Sequence, residues 1–292
     1  MKDFAYACPA AIGDAVAAMQ LDGARALAGG TDLIPQMREG RRQVARIVDL
    51  KRVPELTSIS VCADGSLVLG AAASAAHVAR HAVVASTYPA VAQSARLIGS
   101  LQVQNRASLG GNICNAAPSA DAVPALICHQ ASARIAGPTG QREEALETFI
   151  RAPGKTGLAV GELLVSIVLP PVQPRSAATY LRFTPRREMD IAIAGAAAWI
   201  SLDTAGKIAA ARVALASVGP TPVRAVSAEQ QLLGERPSRT LFEAAGHLAA
   251  ADARPISDTR ASADYRRSLV HVLTARVLSD CSSALSGEEI QR

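Results

Sequence analysis

Leu109-Gly110-Gly111-Asn112-Ile113-Cys114-Asn115-Ala116-Ala117-Pro118-Ser119-Ala120-Asp121 is the stretch on which the reading of this chain turns. Two glycines, two asparagines, a serine and an aspartate interleave with small alanines, just before an apolar segment that reads as a helix over residues 120–127 with Ser119 as its cap. A loop that only reverses the chain seldom needs so many hydrogen-bonding groups so close together. The mix supplies backbone donors for phosphates, side-chain amides for a ring or a ribose, and a carboxylate for ribose hydroxyls. A second glycine segment lies upstream: Ala28-Gly29-Gly30-Thr31-Asp32-Leu33, between a strand expected over residues 24–27 and a helix over 33–38. Glycines let backbone approach a bulky anion, and the free N–H groups at a helix start favour negative charge. Taken alone, Gly29-Gly30 before a cap residue is more often a simple turn. Taken together, the two segments suit one dinucleotide diphosphate. Neither is G-x-G-x-x-G after a strand, and there is no G-x-x-x-x-G-K-[ST], so the doubly wound and P-loop fingerprints are missing.

Outward from these loops the pattern alternates. A helix is expected over 10–21, strands over 47–50 and 66–70, a helix over 90–98, and strands over 131–136 and 163–169. Pro170, Pro171 and Pro174 then interrupt the chain, and a domain boundary is placed there, giving residues 1–174 (with subdomains of about 1–55 and 56–174) and 175–285. Beyond it, strands are expected over 179–183, 192–202 and 207–217. The last two are joined by the turn Asp203-Thr204-Ala205-Gly206. Helices follow over 225–233, 241–251 and from 261 to about 282, and residues 286–292 read as a frayed tail.

Composition narrows the function classes. The 292 residues are 49% hydrophobic and 19% charged, enough for a large buried interior and unlike a disordered chain. The longest near-apolar run, 191–200, is far short of the ~20 residues of a spanning helix. The opening Met1-Lys2-Asp3-Phe4-Ala5-Tyr6 lacks the apolar core of a secretory signal, so the cytoplasm is the expected location. A net charge of +5 with one Trp, four Tyr and four Phe does not describe a nucleic-acid surface. Cys8, Cys62, Cys114, Cys128 and Cys281 form no C-x-x-C pair, which argues for reduced thiols and against an iron–sulfur cluster or zinc held by this chain alone. His77 and His81 lie four apart on an expected helix, where two exposed or satisfied histidines outweigh a metal pair.

Beyond the two loops, several further segments carry a family resemblance. They are Phe4-Ala5-Tyr6 with Pro9, and Gly161-Glu162-Leu163-Leu164 before Ile167-Val168-Leu169-Pro170. Further on come Arg186-Arg187-Glu188-Met189-Asp190-Ile191-Ala192 and Val218-Gly219-Pro220-Thr221-Pro222-Val223-Arg224-Ala225. With residues 28–37 and 108–126, they resemble, in order and over nearly the whole chain, the FAD-binding medium subunit of the xanthine dehydrogenase and carbon monoxide dehydrogenase family of molybdenum hydroxylases.

The resemblance implies an α+β fold. Two α/β subdomains of the vanillyl-alcohol-oxidase/PCMH type clasp FAD, followed by a C-terminal domain of three-stranded antiparallel sheet with helices. It implies cofactor contacts from Ala28, Gly29, Gly30, Thr31, Asp32 and Leu33, from Leu109, Gly110, Gly111 and Asn112, and from Asn115, Ser119, Asp121 and Leu164, with Asp121 taking ribose hydroxyls. Arg187 and Asp190 are implied beside the isoalloxazine, with Lys155 a further candidate. Asp190 reads equally as the start of a strand, Arg186 and Arg187 as a solvated pair or an interface, and Lys155 as a loop lysine. No catalytic side chain and no metal are expected in this chain. The implied role is to relay electrons from the 2Fe–2S clusters of a small partner subunit to an external acceptor. The organic substrate is left to a molybdenum–pterin centre on a large partner, within a dimer of heterotrimers. Few aromatics are available to stack near a flavin, which leaves NAD, a quinone, a cytochrome or oxygen open as the acceptor. Two alternatives stand beside this: a stand-alone flavin reductase of the same fold, and a non-catalytic nucleotide-binding module.

Overall fold

The structure is a computed structural model that describes residues 2–287; the expected tail falls mostly outside the described residues, although Ser286 itself is the last residue of a helix. Contacts divide the chain into two units, and neither is one continuous segment. The first takes the chain up to Val78 with Ile98–Ala116 and Gln130–Pro171. The second takes Ala79–Leu97, Ala117–His129 and the chain from Val172 onward. The last crossing, after Pro171, lies three residues before the boundary expected after residue 174, and the earlier segments Ala79–Leu97 and Ala117–His129 also belong to the second unit.

In the first unit, the strands Ala5–Ala7, Arg46–Asp49 and Ala24–Leu27 form a parallel sheet with Arg46–Asp49 in the middle. Alternation along this middle strand splits its side chains between two faces. Val48 joins Ala15 and Val16 of the helix Ile12–Met19, while Ile47 packs with Met37, Val44 and, less buried, Leu27, Leu33 and Ile34. The helix Leu33–Arg38 thus covers the face opposite Ile12–Met19. An antiparallel sheet of five strands carries the rest of this unit, ordered Ile59–Val61, Leu67–Gly70, Leu163–Leu169, Ser132–Gly137 and Gly140–Ala145. Its central strand, LLVSIVL, is buried at six of seven positions, which explains why its sequence is apolar apart from Ser166. A two-stranded ribbon, Ile150–Ala152 with Lys155–Thr156, completes the unit.

The second unit is built on Ser176–Phe183, Ala194–Leu202 and Ile208–Ala216, with a fourth strand of two residues, Val223–Arg224, where three strands were expected. Asp203 closes the expected hairpin. Its carboxylate accepts from the Ala205 and Lys207 amides at 2.8 Å each, and Gly206 takes φ +77°. One face of the sheet, Ala194, Ala196, Ala198 and Ile200, meets Val270, Leu273, Val277 and Cys281 of the helix Ala263–Ser286 and Phe242, Ala245 and Ala249 of Arg239–Asp252. The other face is covered by segments from the first half of the chain, the helices Pro89–Arg96 and Ala122–Cys128. Gln93 Oε1 accepts from Thr179 Oγ1 and the Tyr180 amide at 3.2 Å each, and the Arg212 guanidinium donates to Ile127 O at 3.1 Å. Covering both faces buries eight of the nine residues of Ala194–Leu202.

Candidate cofactor-binding site

The first glycine segment follows the carboxyl end of the strand Ala24–Leu27, the edge of a parallel sheet at which such folds bind ligands. Gly30 takes φ +76°, a left-handed conformation that turns the chain sharply between strand and helix. Gly29 is required for a different reason. A Cβ there would lie 1.9 Å from Arg106 O and 2.8 Å from Ala107 N, so the backbone leading into the second segment passes directly against it. Around this turn the amides of Gly29, Gly30, Thr31, Asp32 and Leu33 donate to no protein group among the described residues. Successive free amides in a turn are the donors from which an anion-binding nest is built. The helix that follows is only six residues long, so anion binding here would rest on these amides and not on a helix dipole. Asp32 precedes that helix without capping it.

The second glycine segment is not the irregular loop expected from its sequence. Leu109–Asn115 is a helix, with Ser108 as its cap: Ser108 Oγ accepts from the Gly111 amide at 3.0 Å. The Gly110 amide donates to Ala71 O and the Asn112 amide to Ser108 O, so the donors expected to face phosphates are already used inside the protein. Gly110 is needed because a Cβ would lie 2.4 Å from Ala71 O. Ala116, at φ +49°, ends the helix, and its carbonyl accepts from the Gly154 amide, which ties the ribbon carrying exposed Lys155 to this helix. The contribution of 109–115 is therefore a wall beside the first segment. Its partly exposed polar groups are Asn112 and Asn115, the latter 3.5 Å from Gln36 Nε2. Leu109 and Leu164, expected as contacts, are 1% and 4% exposed and serve the interior.

Four expected residues belong to the second unit. Ser119 does not cap the helix Ala122–Cys128; the cap position is Asp121, whose carboxylate makes no capping bond. Asp121 is buried and accepts from Tyr180 Oη at 2.8 Å and Arg182 at 2.5 Å. Burial pushes its carboxyl up from the usual range, with Arg182 and Tyr180 pulling the other way, and burial also raises the Tyr180 phenol well above its ordinary value. The carboxylate expected at a ribose is thus first a bolt between the helix and the strand Ser176–Phe183. Asp190 organises its own loop: it accepts from the Arg186 and Ile191 amides and pairs with Arg186 and, at 3.4 Å, Arg260. Arg187 is exposed.

Tyr6, Asp49 and Lys51 have no site role in the sequence reading, although Tyr6 lies in a segment that carries the resemblance. Asp49 ends the middle parallel strand; it receives Tyr6 Oη at 2.6 Å and Lys51 Nζ at 2.6 Å, and the same ammonium reaches Ala28 O at 3.0 Å. The one available signal was Asp49-Leu50-Lys51 at the end of the strand expected over 47–50. The cavity of about 540 Å³ lined by Lys2, Gly23, Met37, Arg38, Arg42 and Ala45 involves none of the expected site residues. Among the described residues, no cluster of three or more His, Cys, Asp or Glu is arranged to hold a metal.

Comparison with known proteins places this geometry. The family described as the FAD binding domain in molybdopterin dehydrogenase matches residues 2–172, and the CO dehydrogenase flavoprotein C-terminal domain matches 178–281. A xanthine dehydrogenase FAD-binding subunit of Escherichia coli O157:H7 is 33% identical over 91% of each chain. The carbon monoxide dehydrogenase medium chain of Hydrogenophaga pseudoflava is 30% identical over 94% of this chain and 96% of its own. Among solved structures, carbon monoxide dehydrogenase from H. pseudoflava superposes with a TM-score of 0.91 at 30% identity, covering 97% of this chain and 98% of the other. Quinoline 2-oxidoreductase from Pseudomonas putida 86 gives 0.91 at 29%, covering 98% and 99%. The chain belongs to the family of FAD-binding medium subunits of molybdenum-containing dehydrogenases, with the family's two-part architecture.

Proposed function

We propose that this chain is the FAD-carrying, electron-transferring subunit of a molybdenum hydroxylase. It passes electrons from the iron–sulfur clusters of a small partner subunit to an external acceptor, while a molybdenum–pterin centre on a large partner oxidises the organic substrate. The observation that carries the reading is the row of five free amides from Gly29 to Leu33 at the carboxyl end of a parallel strand. A dinucleotide diphosphate is an anion of the size and charge such a row accepts.

The residues present fit the cofactor. Gly29, Gly30, Thr31, Asp32 and Leu33 would hold the diphosphate, Ala28 sets the entry to that turn, and Asn112 and Asn115 offer polar side chains on the neighbouring helix. Gly110 and Gly111 support this by close packing and by the Ser108 cap. Ser119, Asp121, Arg187 and Asp190 stay in the proposal through the resemblance. Asp121 retains acceptor capacity beyond its two bonds, since a carboxylate offers about four lone-pair sites. Bound FAD would supply the taking up and passing on of electrons; the chain supplies position, electrostatics and exclusion of water. The cytoplasm is the proposed location; no helix among the described residues is long and apolar enough to cross a membrane.

The test is purification of the chain from its native host without dissociating conditions. A yellow complex that releases FAD on heating and contains a large and a small partner is expected. A colourless chain, or a solitary monomer that turns over substrate with a nicotinamide donor, overturns the proposal. Asp121→Ala is a poor probe of flavin contact, because removing it leaves Arg182 buried and unpaired at a cost of about 3–5 kcal/mol. Urea unfolding of that variant checks this cost: a midpoint equal to that of the unsubstituted chain would remove the bolting role assigned to Asp121.

A further inference from the structure

The dinucleotide reading does not use Tyr6, Asp49 and Lys51, yet their geometry converges on its loop. Asp49 stands at the carboxyl end of the middle strand of the parallel sheet, between two neighbours. From the strand on one side, Tyr6 donates to its Oδ2 at 2.6 Å. On the other side lies the strand that runs into Ala28. Lys51 spans to it, with its ammonium 2.6 Å from Asp49 Oδ1 and 3.0 Å from Ala28 O. The Lys51 amide also donates to Asp49 Oδ1, at 3.1 Å, which fixes the turn Leu50–Arg52 that carries the lysine.

A buried carboxylate with this many donors is a built element. Asp49 is 7% exposed. Burial alone would raise its carboxyl, but the bonds from Lys51 and Tyr6 together hold it below the usual range. The hydrogen bond to Asp49 pushes the Tyr6 phenol up to about 12.

The peptide joining Ala28 to Gly29 links this cluster to the free amides. In a trans peptide the carbonyl and the N–H point to opposite sides, so a group that fixes one fixes the other. Lys51 grips the Ala28 carbonyl and thereby sets the direction of the Gly29 N–H, the first amide of the row. It also stations a positive charge one peptide from that row, using two of its three N–H donors within the protein. We propose that Lys51, oriented by Asp49 and Tyr6, is a positioning residue for the diphosphate of a bound dinucleotide. The proposal rests on the reading of residues 29–33 as the diphosphate cradle.

The experiment titrates the full chain, freed of flavin, with FAD and with ADP, which carries the diphosphate without the flavin ring. Lys51→Met is expected to weaken both by about tenfold, the size of one charged hydrogen bond. Lys51→Arg, which keeps the charge and the reach, is expected to stay within about threefold of the original on the same scale. Tyr6→Phe removes a single hydroxyl from a side chain 57% exposed, and is expected to weaken both ligands by about threefold at an unchanged melting temperature. If Lys51→Met does not fold, Tyr6→Phe decides. Unchanged ADP affinity in the variants that fold, or a loss for FAD alone, overturns the positioning role and leaves the cofactor reading standing. An unsubstituted chain that binds neither FAD nor ADP overturns both.

Discussion

The two glycine pairs, Gly29-Gly30 and Gly110-Gly111, look alike in the sequence and do opposite things in the structure. The first pair opens a turn whose amides stay free, and the second lies within the first turn of a helix whose amides are consumed. Within each pair the glycines differ again. Gly29 and Gly110 are glycine because neighbouring backbone leaves no room for a Cβ, whereas Gly30 is glycine because of its φ of +76°. A glycine-rich run therefore marks a place where backbone comes close to something. Whether that neighbour is a ligand or the protein itself depends on where the amides go.

Four substitutions sharpen or break this contrast. Gly29→Ala has the largest expected effect, because its Cβ would collide with the Arg106 carbonyl. Urea unfolding should report a loss of more than about 3 kcal/mol, with flavin lost as well. Gly110→Ala meets the Ala71 carbonyl in the same way and should cost about 3 kcal/mol. Its loss is in folding, so whatever fraction folds should still retain flavin. Gly30→Ala forces an alanine into left-handed backbone and should cost about 1–2 kcal/mol, read chiefly as weaker FAD retention during dialysis. Gly111→Ala should be near neutral, within about 0.5 kcal/mol, since its Cβ would meet only Ser108 Oγ at 3.1 Å. If Gly111→Ala empties the site while Gly30→Ala leaves it full, the assignment of the two pairs is reversed.

Local elements were legible where side-chain pattern decides them. The strands Ala24–Leu27 and Leu163–Leu169 and the helix Leu33–Arg38 fall at the residues expected, although Asp32 does not cap that helix. The helix Leu109–Asn115 was not legible, because Gly, Asn and Cys have low helix propensity and it forms through the Ser108 cap and its contact with Ala71. Asp121 was misjudged for a related reason. A carboxylate beside a glycine-rich segment looks available, and nothing nearby in sequence announces that Tyr180 and Arg182, some sixty residues on, will occupy it. The Tyr6–Asp49–Lys51 cluster is likewise set by strand order, which places residues 6 and 28 on either side of residue 49. Long-range pairing of this kind is written in no local pattern.

The interleaving of the two units has a consequence for synthesis. The chain passes from one unit to the other after Val78, Leu97, Ala116, His129 and Pro171. A ribosome therefore releases the helices Pro89–Arg96 and Ala122–Cys128 before the strands Ala194–Leu202 and Ile208–Ala216 that complete the sheet they pack on. For on the order of ten seconds at ordinary elongation rates, Val91, Val123 and Leu126 have no finished surface to bury against. That interval is an opening for chaperone capture. It also means that a gene cut at the linker after residue 172 would leave these helices permanently without their sheet.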